Sequence, residues 1–362
     1  DAQESRGLGD VYKRQVLGLR RHRRLATVWL FGLTIGLAIT LVISVGLGSV
    51  HVSATETVSI ISHHVFGTDS TVESVKDTIV WDIRVRRAIL GMAVSAGLAV
   101  AGGILRTLVR NILADPYIIG INGGASTGAA LAILFGAGAA LGDYALQGSA
   151  FIGAVVASFV LYGVARSQGR LTSIRLLIAG VALGYALSAV TSFLIFASGN
   201  AEGARSVMFW LFGPLGLAKW DIALVITVVV VLFGLVNGVV WGRNLDALGI
   251  GDETALTAGI NPERFRLLMP ILTCLIVGAI VAMAGSISFV GLVIPHLARR
   301  TVGGSHRFML PVAALLGAVL LMWADIGVRM LLAPRELSIG IITALVGAPF
   351  LLILVRNMRA TS

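Results

Sequence analysis

The residues able to do chemistry are few, and their types exclude more than they promise. No GxxxxGK[ST] loop occurs, so the glycine cradle and lysine that would hold a nucleotide's phosphates are missing, and energy for work has to come from elsewhere. A proton relay needs several acidic or histidine groups in mid-span; Asp325 is the one obvious carboxylate bordering a strongly apolar stretch, which weakens ion coupling. His296 follows Pro295 near a helix end with Arg299 beyond it. No second ligand stands nearby in sequence, so a structural hydrogen bond is a better reading than a gate, and a gate better than a metal site. His63 and His64 are adjacent and diverge on a helix, which disfavours a shared metal. Cys274, the single cysteine, sits in an apolar run and reads as packing. Neither catalysis, nor a cofactor, nor a resident metal is expected.

Only an unusual scaffold would position so few polar groups. Hydrophobic residues make up 57% of the 362 and charged residues 13%, about half the charge of an ordinary soluble domain at roughly 25%. Apolar runs longer than the roughly 18 residues that mark a membrane span recur from Ala26 to Leu354, so a single targeting segment cannot account for them. The fold class is therefore all-α and polytopic, with about ten transmembrane helices, near 26–48, 88–109, 117–137, 149–165, 174–197, 221–241, 267–285, 289–300, 309–328 and 338–355. Gly285 and Pro295 interrupt the tract 267–300, which has to turn back or break inside protein. The 44 glycines imply closely packed helices.

The formal charge of +10 does not point to nucleic acid, because the basic residues flank the spans instead of forming one stripe. Most of the 28 Lys and Arg fall on one side when the N-terminus is cytoplasmic. That places the 1–25 tail, the Arg106–Pro116 turn, the Arg166–Arg175 turn, the 244–266 segment, the Arg299–Arg307 turn and the 356–362 tail inside, with a single transmembrane domain over 26–355. Asp1–Gln15 carry neither apolar period nor motif and receive no assignment. Outside, His51–Asp82 is expected to form short helices over the bundle mouth. Inside, LDALGIGDETALTAGINPERFRLL reads as two short helices around Gly249, Gly251 and Gly259. Asp252 and Glu253 fall in the first turn of the second, and Asn261–Pro262 starts the next helix. Such an elbow is a natural docking surface.

Ordered motifs then carry a family resemblance. SISFVGLVIPHLAR (Ser286–Arg299, with Gly291, Pro295, His296 and Arg299) resembles the GPIGFVGLVVPHIAR signature of FecCD-type permeases, the membrane subunits of binding-protein-dependent ABC importers for iron-siderophores, haem and cobalamin. LVRNILADPYIIGINGGASTGAA, with Arg110, Asn111, Asp115 and Pro116, resembles that family's RNPLADPxxLGxxxGA segment. WDIRVRRAILGMAVSAGLAVAG resembles its RLPR region, ALGIGDETALTAGINPERFRLL its ATPase-docking segment, and ADIGVRMLLAPRELSIGIITALVGAPF its ending. The sequence departs at Arg86, Ile112, Ser286 and Ser338, where proline is usual, and at Arg106, where glutamine is common; three of these changes restore backbone donors at turns.

The resemblance implies two copies of the chain side by side in the lipid bilayer, two ATP-binding subunits in the cytoplasm, an extracytoplasmic substrate-binding protein, and a metal chelate as cargo, foremost an iron-siderophore with haem or cobalamin as alternatives. It places ATPase coupling on Leu248, Gly249, Asp252, Glu253, Ala255, Gly259 and Arg264, and binding-protein docking on Arg84, Arg87 and Arg329, where charge would steer the encounter. A path passing a bulky chelate without trapping it should hold small, uncharged groups. Asn122, Gly123, Gly124, Ser126 and Thr127 are candidates, with Ser173 and Ile174 toward the inner gate; close helix packing is the competing reading.

Overall fold

In hydrocarbon each segment has to satisfy its own backbone, so the apolar runs have no alternative to helix. The computed structural model describes residues 2–48, 50, 52–68, 72–111, 114–166, 173–331 and 337–359. The helices are α1 (Ala2–Gly46), α2 (Ala54–Phe66), α3 (Ser74–Thr78), α4 (Arg86–Val109), α5 (Ile121–Phe135), α6 (Ala145–Arg166), α7 (Ser173–Ala197) and α8 (Ala201–Leu211). They continue as α9 (Ile222–Val240), α10 (Gly242–Ile250), α11 (Asp252–Thr257), α12 (Pro262–Ala284), α13 (Val290–Val302), α14 (His306–Leu331) and α15 (Ile339–Arg359). A π-helical stretch, Ile79–Val85, joins α3 to α4 without a break.

Among the described residues seven helical segments are long and apolar enough to cross a membrane, and Ile121–Phe135 and Ile339–Leu354 are shorter apolar helices. The expected span at 289–300 is corrected: α13 has 13 residues, about 20 Å at 1.5 Å per residue, well short of a roughly 30 Å hydrocarbon core. The tract 267–300 breaks at Gly285 (φ 62°), as expected, and then at Phe289 (φ 68°); Pro295, the other expected interruption, lies inside α13. A Cβ on Gly285 would lie 2.2 Å from the Trp210 carbonyl oxygen, so no larger residue fits that turn.

The core centres on α4, which packs on α9, α12, α13 and α14. Small residues allow this. A Cβ on Gly102 would sit 1.9 Å from the Gly291 carbonyl oxygen, so α4 and α13 meet backbone to backbone. On the other flank α5 and α6 close together through Gly124, whose Cβ would be 2.3 Å from Gly153 O, and Gly128, whose Cβ would be 2.1 Å from Ser149 O. GASTG at 124–128 is thus a working GxxxG contact. By contrast α7 turns large apolar side chains outward, among them Ile178, Phe193 and Phe196, as does α9 with Ile226, Val229 and Phe233.

At the end of the bundle away from the 244–266 segment, the expected short helices are α2 and α3. Ser53 and Glu56 form a reciprocal capping box on α2 (Ser53 N to Glu56 Oε2 2.9 Å; Glu56 N to Ser53 Oγ 3.2 Å). Lys76 Nζ bonds Glu56 Oε1 at 2.7 Å, and this bond, with those from Ser53, holds the Glu56 carboxyl down to about 2. His64 stacks on Trp81 (4.3 Å between centroids), Trp81 stacks on Trp220 (5.0 Å), and His64 Nε2 meets Asp77 Oδ2 at 3.0 Å. The two histidines serve the lid's packing.

Candidate translocation and coupling sites

Between α5 and α7 lies an open groove of about 550 Å³ lined by Asn122, Gly123 and Ser126 from one side, Gly180, Gly184, Tyr185, Ser188, Thr191 and Ser192 from the other, Tyr117 and Ser286, and the apolar Val181, Ile195 and Leu211. Its lining bears no charged side chain. Ser286 Oγ donates to Asn122 Oδ1 at 2.6 Å; the hydroxyl that replaces a family proline therefore fixes the orientation of a groove amide. Tyr117 Oη accepts from Ile287 N–H at 3.0 Å. Thr127 stands just behind the lining, donating to Leu187 O at 3.2 Å and sharing a hydrogen bond of 3.0 Å with Thr191.

Gly124 is a correction. It faces α6, not the groove, because the α5–α6 approach needs its missing Cβ. Ile174 is 67% exposed at the start of α7, away from these residues, and the side chain of Ser173 lies outside the described residues. The sequence candidates on α7 are Ser173 and Ile174 at its start, whereas the groove uses the middle of the helix, which carries a signal of its own: Gly180, Gly184, Ser188 and Ser192 recur every four residues, which aligns small side chains along one helix face.

At the far end the 244–266 segment folds as the expected elbow. The Gly259 N–H reaches Leu256 O at 2.9 Å and the Ile260 N–H reaches Ala255 O at 2.8 Å, with Gly259 at φ 74°, a left-handed helix stop. Asn261 Oδ1 accepts from the N–H groups of Glu263 (3.0 Å) and Arg264 (3.2 Å) to start α12, with Pro262 at its first position. Asp252 does more than favour a helix dipole. Its Oδ1 takes Arg110 Nη2, and Arg266 Nη2 at 2.9 Å, while Arg110 also donates to Leu248 O at 3.2 Å. Arg110 is itself the left-handed cap of α4 (φ 51°). The elbow is thereby tied to the end of the central helix.

A second tie runs to α14. Asp246 accepts from His306 N–H (2.9 Å), its Nδ1 (2.5 Å) and Ser305 Oγ (3.0 Å), and Thr107 Oγ1 meets His306 Nε2 at 2.6 Å. Burial pushes the Asp246 carboxyl upward, but the His306 and Ser305 bonds outweigh it and hold it below the usual carboxylate range. Leu248 and Ala255 are buried, Gly249 packs near Thr107, and Glu253, Leu256 and Arg264 are exposed. Ala255 is therefore an internal support of the elbow and not part of its surface. Of the remaining motif residues, Asp115 accepts from Tyr117 N–H at 2.9 Å and caps a short 3-10 turn begun by Pro116, whose ring meets Gly291. Asn111, Pro295, His296 and Arg299 border a separate inner cavity.

The three arginines expected to dock a binding protein are corrected most sharply. Arg84 donates to Val45 O (2.7 Å), Gly46 O (3.0 Å) and Val50 O (2.6 Å). Arg87 Nε bonds Asp325 Oδ1 at 2.8 Å, Arg329 Nε bonds Asp325 Oδ2 at 3.0 Å, and Arg329 continues to Leu47 O (2.7 Å) and Ser44 O (2.8 Å). A cation placed between apolar helices is stable only when its donors are filled. These guanidiniums brace α1, α4 and α14 and are not presented to a docking protein. Asp325 is likewise held between two arginines. Among the described residues no group of three or more His, Cys, Asp and Glu side chains is placed to hold a metal.

An uncharged groove beside a backbone-packed bundle, with a two-helix elbow pinned beneath it, defines a multi-pass membrane transport permease. Residues 36–357 match the FecCD transport family, and the chain belongs to that family of ABC-importer permeases, which are non-catalytic translocation subunits. It is 40% identical to the cobalamin import system permease protein BtuC of Halobacterium salinarum (81% of this chain, 76% of that one). It is 38% identical to the hemin transport system permease protein HmuU of Yersinia pestis (77% and 84%), and 35% identical to the Fe(3+)-citrate import system permease protein YfmD of Bacillus subtilis (80% and 88%). Among solved structures, a metal-chelate-type ABC transporter in an inward-facing conformation superposes with a TM-score of 0.78 at 31% identity, covering 91% of this chain and 98% of that one.

Proposed function

We propose that two copies of this chain form the translocation path of a metal-chelate importer, with the α5–α7 groove facing the path. The uncharged lining carries this reading: a few amide and hydroxyl groups set among glycines and apolar side chains can pass a bulky chelate without multidentate capture. A substrate-binding protein delivers the cargo on the outer face, and paired ATPase subunits engage the elbow. The sequence favoured an iron-siderophore. The relatives named for cobalamin and hemin are somewhat more identical to the chain than the ferric citrate permease, so a metal tetrapyrrole is the better first choice. Uptake of cobalamin, hemin and a ferric siderophore by the reconstituted complex tests it; import of the siderophore alone would overturn that choice.

The elbow's exposed side, Glu253, Leu256 and Arg264, is the surface offered to the ATPase. Glu253→Arg, at an exposed site in the first turn of α11, is expected to change stability by no more than about 1 kcal/mol, the scale of a helix-dipole interaction, while lowering ATPase co-purification and cargo-stimulated hydrolysis. Leu256→Glu should act similarly. Association and coupled uptake at wild-type levels in both variants would remove the elbow from the coupling role.

Both termini and the elbow are assigned to the cytoplasm, following the bias of basic residues. A cysteine at Asn200, the cap between α7 and α8, should react with an impermeant maleimide added to intact cells, and one at Asn261 should react only after permeabilisation. The reverse pattern would invert the topology.

A further inference from the structure

At the elbow's end of the bundle α4, α10, α13 and α14 enclose a cavity of about 690 Å³, within the roughly 300–1,000 Å³ typical of small-molecule sites. Arg106, Arg110, His296 and Arg299 stand on its wall. Its positive charge is poorly offset. Asp246 on the same wall is taken by His306 and Ser305, and Asp252 by Arg110 and Arg266. Asp115 and Arg299 are both close enough to act on the charge of Arg106, and Arg106, Arg299 and Arg300 all act on His296. Arg106 gives Nη2 to Leu292 O, but its buried Nε has no hydrogen-bond partner. Arg299 is exposed and, among the described residues, pairs with no acid, its guanidinium lying against Gly304.

Unfilled guanidinium donors from two helices, in a cavity with basic side chains on its wall, fit an oxyanion. The planar fork presents parallel N–H groups that carboxylates and phosphates accept in pairs, and a phosphate brings more acceptor oxygens and more charge to offset the cluster. We propose that this cavity binds a phosphate group on the elbow side of the membrane, carried by an anionic phospholipid headgroup or by free phosphate. Arg106 and Arg299 are its principal contacts. This proposal is independent of the cargo and of the docking reading above.

The test uses the full-length chain in maltoside micelles, free of phosphate. Inorganic phosphate is titrated calorimetrically, and phosphatidylglycerol is followed by native mass spectrometry. At least one probe is expected to saturate at one per chain. Arg106→Gln and Arg299→Gln should each weaken it about tenfold, the scale of a lost charge-assisted hydrogen bond, whereas Arg205→Gln, on an exposed face elsewhere, should not. Saturation by phosphate identifies the free anion as a ligand, and saturation by the lipid alone identifies the headgroup. Thermal unfolding of each variant reports its fold, and the exposed Arg299 keeps the test decisive if Arg106→Gln unfolds. No saturable binding of either probe, or equal affinity in all four proteins, would overturn the site.

Discussion

Asp325→Ala is expected to destabilise the folded chain by about 3–5 kcal/mol, the cost of stranding a buried ion's partners. The carboxylate joins Arg87 and Arg329, whose side chains are 7% and 10% exposed, and removing it leaves two guanidiniums among apolar helices with their mutual repulsion unrelieved. The effect should reach beyond α14, because Arg329 also holds the Leu47 and Ser44 carbonyls at the end of α1. Thermal unfolding in micelles would measure it. Asp325→Asn should lose less than Asp325→Ala, since the amide oxygen still accepts one guanidinium. Replacing all three residues together by Met, Leu and Met should recover much of the loss, because an apolar trio has no charge to desolvate. An Asp325→Ala protein with wild-type stability would show that the triad is not a structural brace.

The second large effect is steric. Gly102→Ala would put a methyl carbon where only 1.9 Å separates it from the Gly291 carbonyl oxygen, with the Gly291 carbonyl carbon at 2.7 Å. Neither neighbour is a side chain that can rotate away, so α4 and α13 have to separate. Overpacking of this kind costs typically 1–3 kcal/mol, and here it falls at or above the upper end because backbone must move. The displacement also disturbs the contact of α13 with Pro116, whose ring lies against Gly291, and with it the turn leading into α5 and its groove. Uptake should fall further than stability alone explains. Gly163→Ala supplies the comparison: a Cβ there meets nothing within 4 Å, and helix propensity favours alanine by up to about 1 kcal/mol. Equal behaviour of the two variants in unfolding and uptake would refute the close-approach account of Gly102.

Much of the architecture was legible from the chain alone, for a physical reason. A segment in hydrocarbon cannot borrow hydrogen bonds from solvent, so its own composition decides that it is a helix and roughly where it ends. The elbow was legible for a related reason: helix starts and stops are local, and Gly259, Asn261 and Pro262 act through backbone groups within four residues. Family membership was equally readable, since ordered motifs survive in one dimension. What the sequence could not decide was the direction in which a residue faces. Gly124 and Gly123 are neighbours in the chain, yet one closes α5 on α6 and the other lines the groove, because 100° of helical rotation separates them. Arg87 sits near the rim of a span, where a charge serves a partner protein as naturally as it serves a fold; only the packing of α4 on α14 sets it against Asp325, 238 residues away. The inner cavity likewise exists only when four helices converge. Local chemistry determined the elements of this protein, and tertiary structure decided which of their charges are already spent.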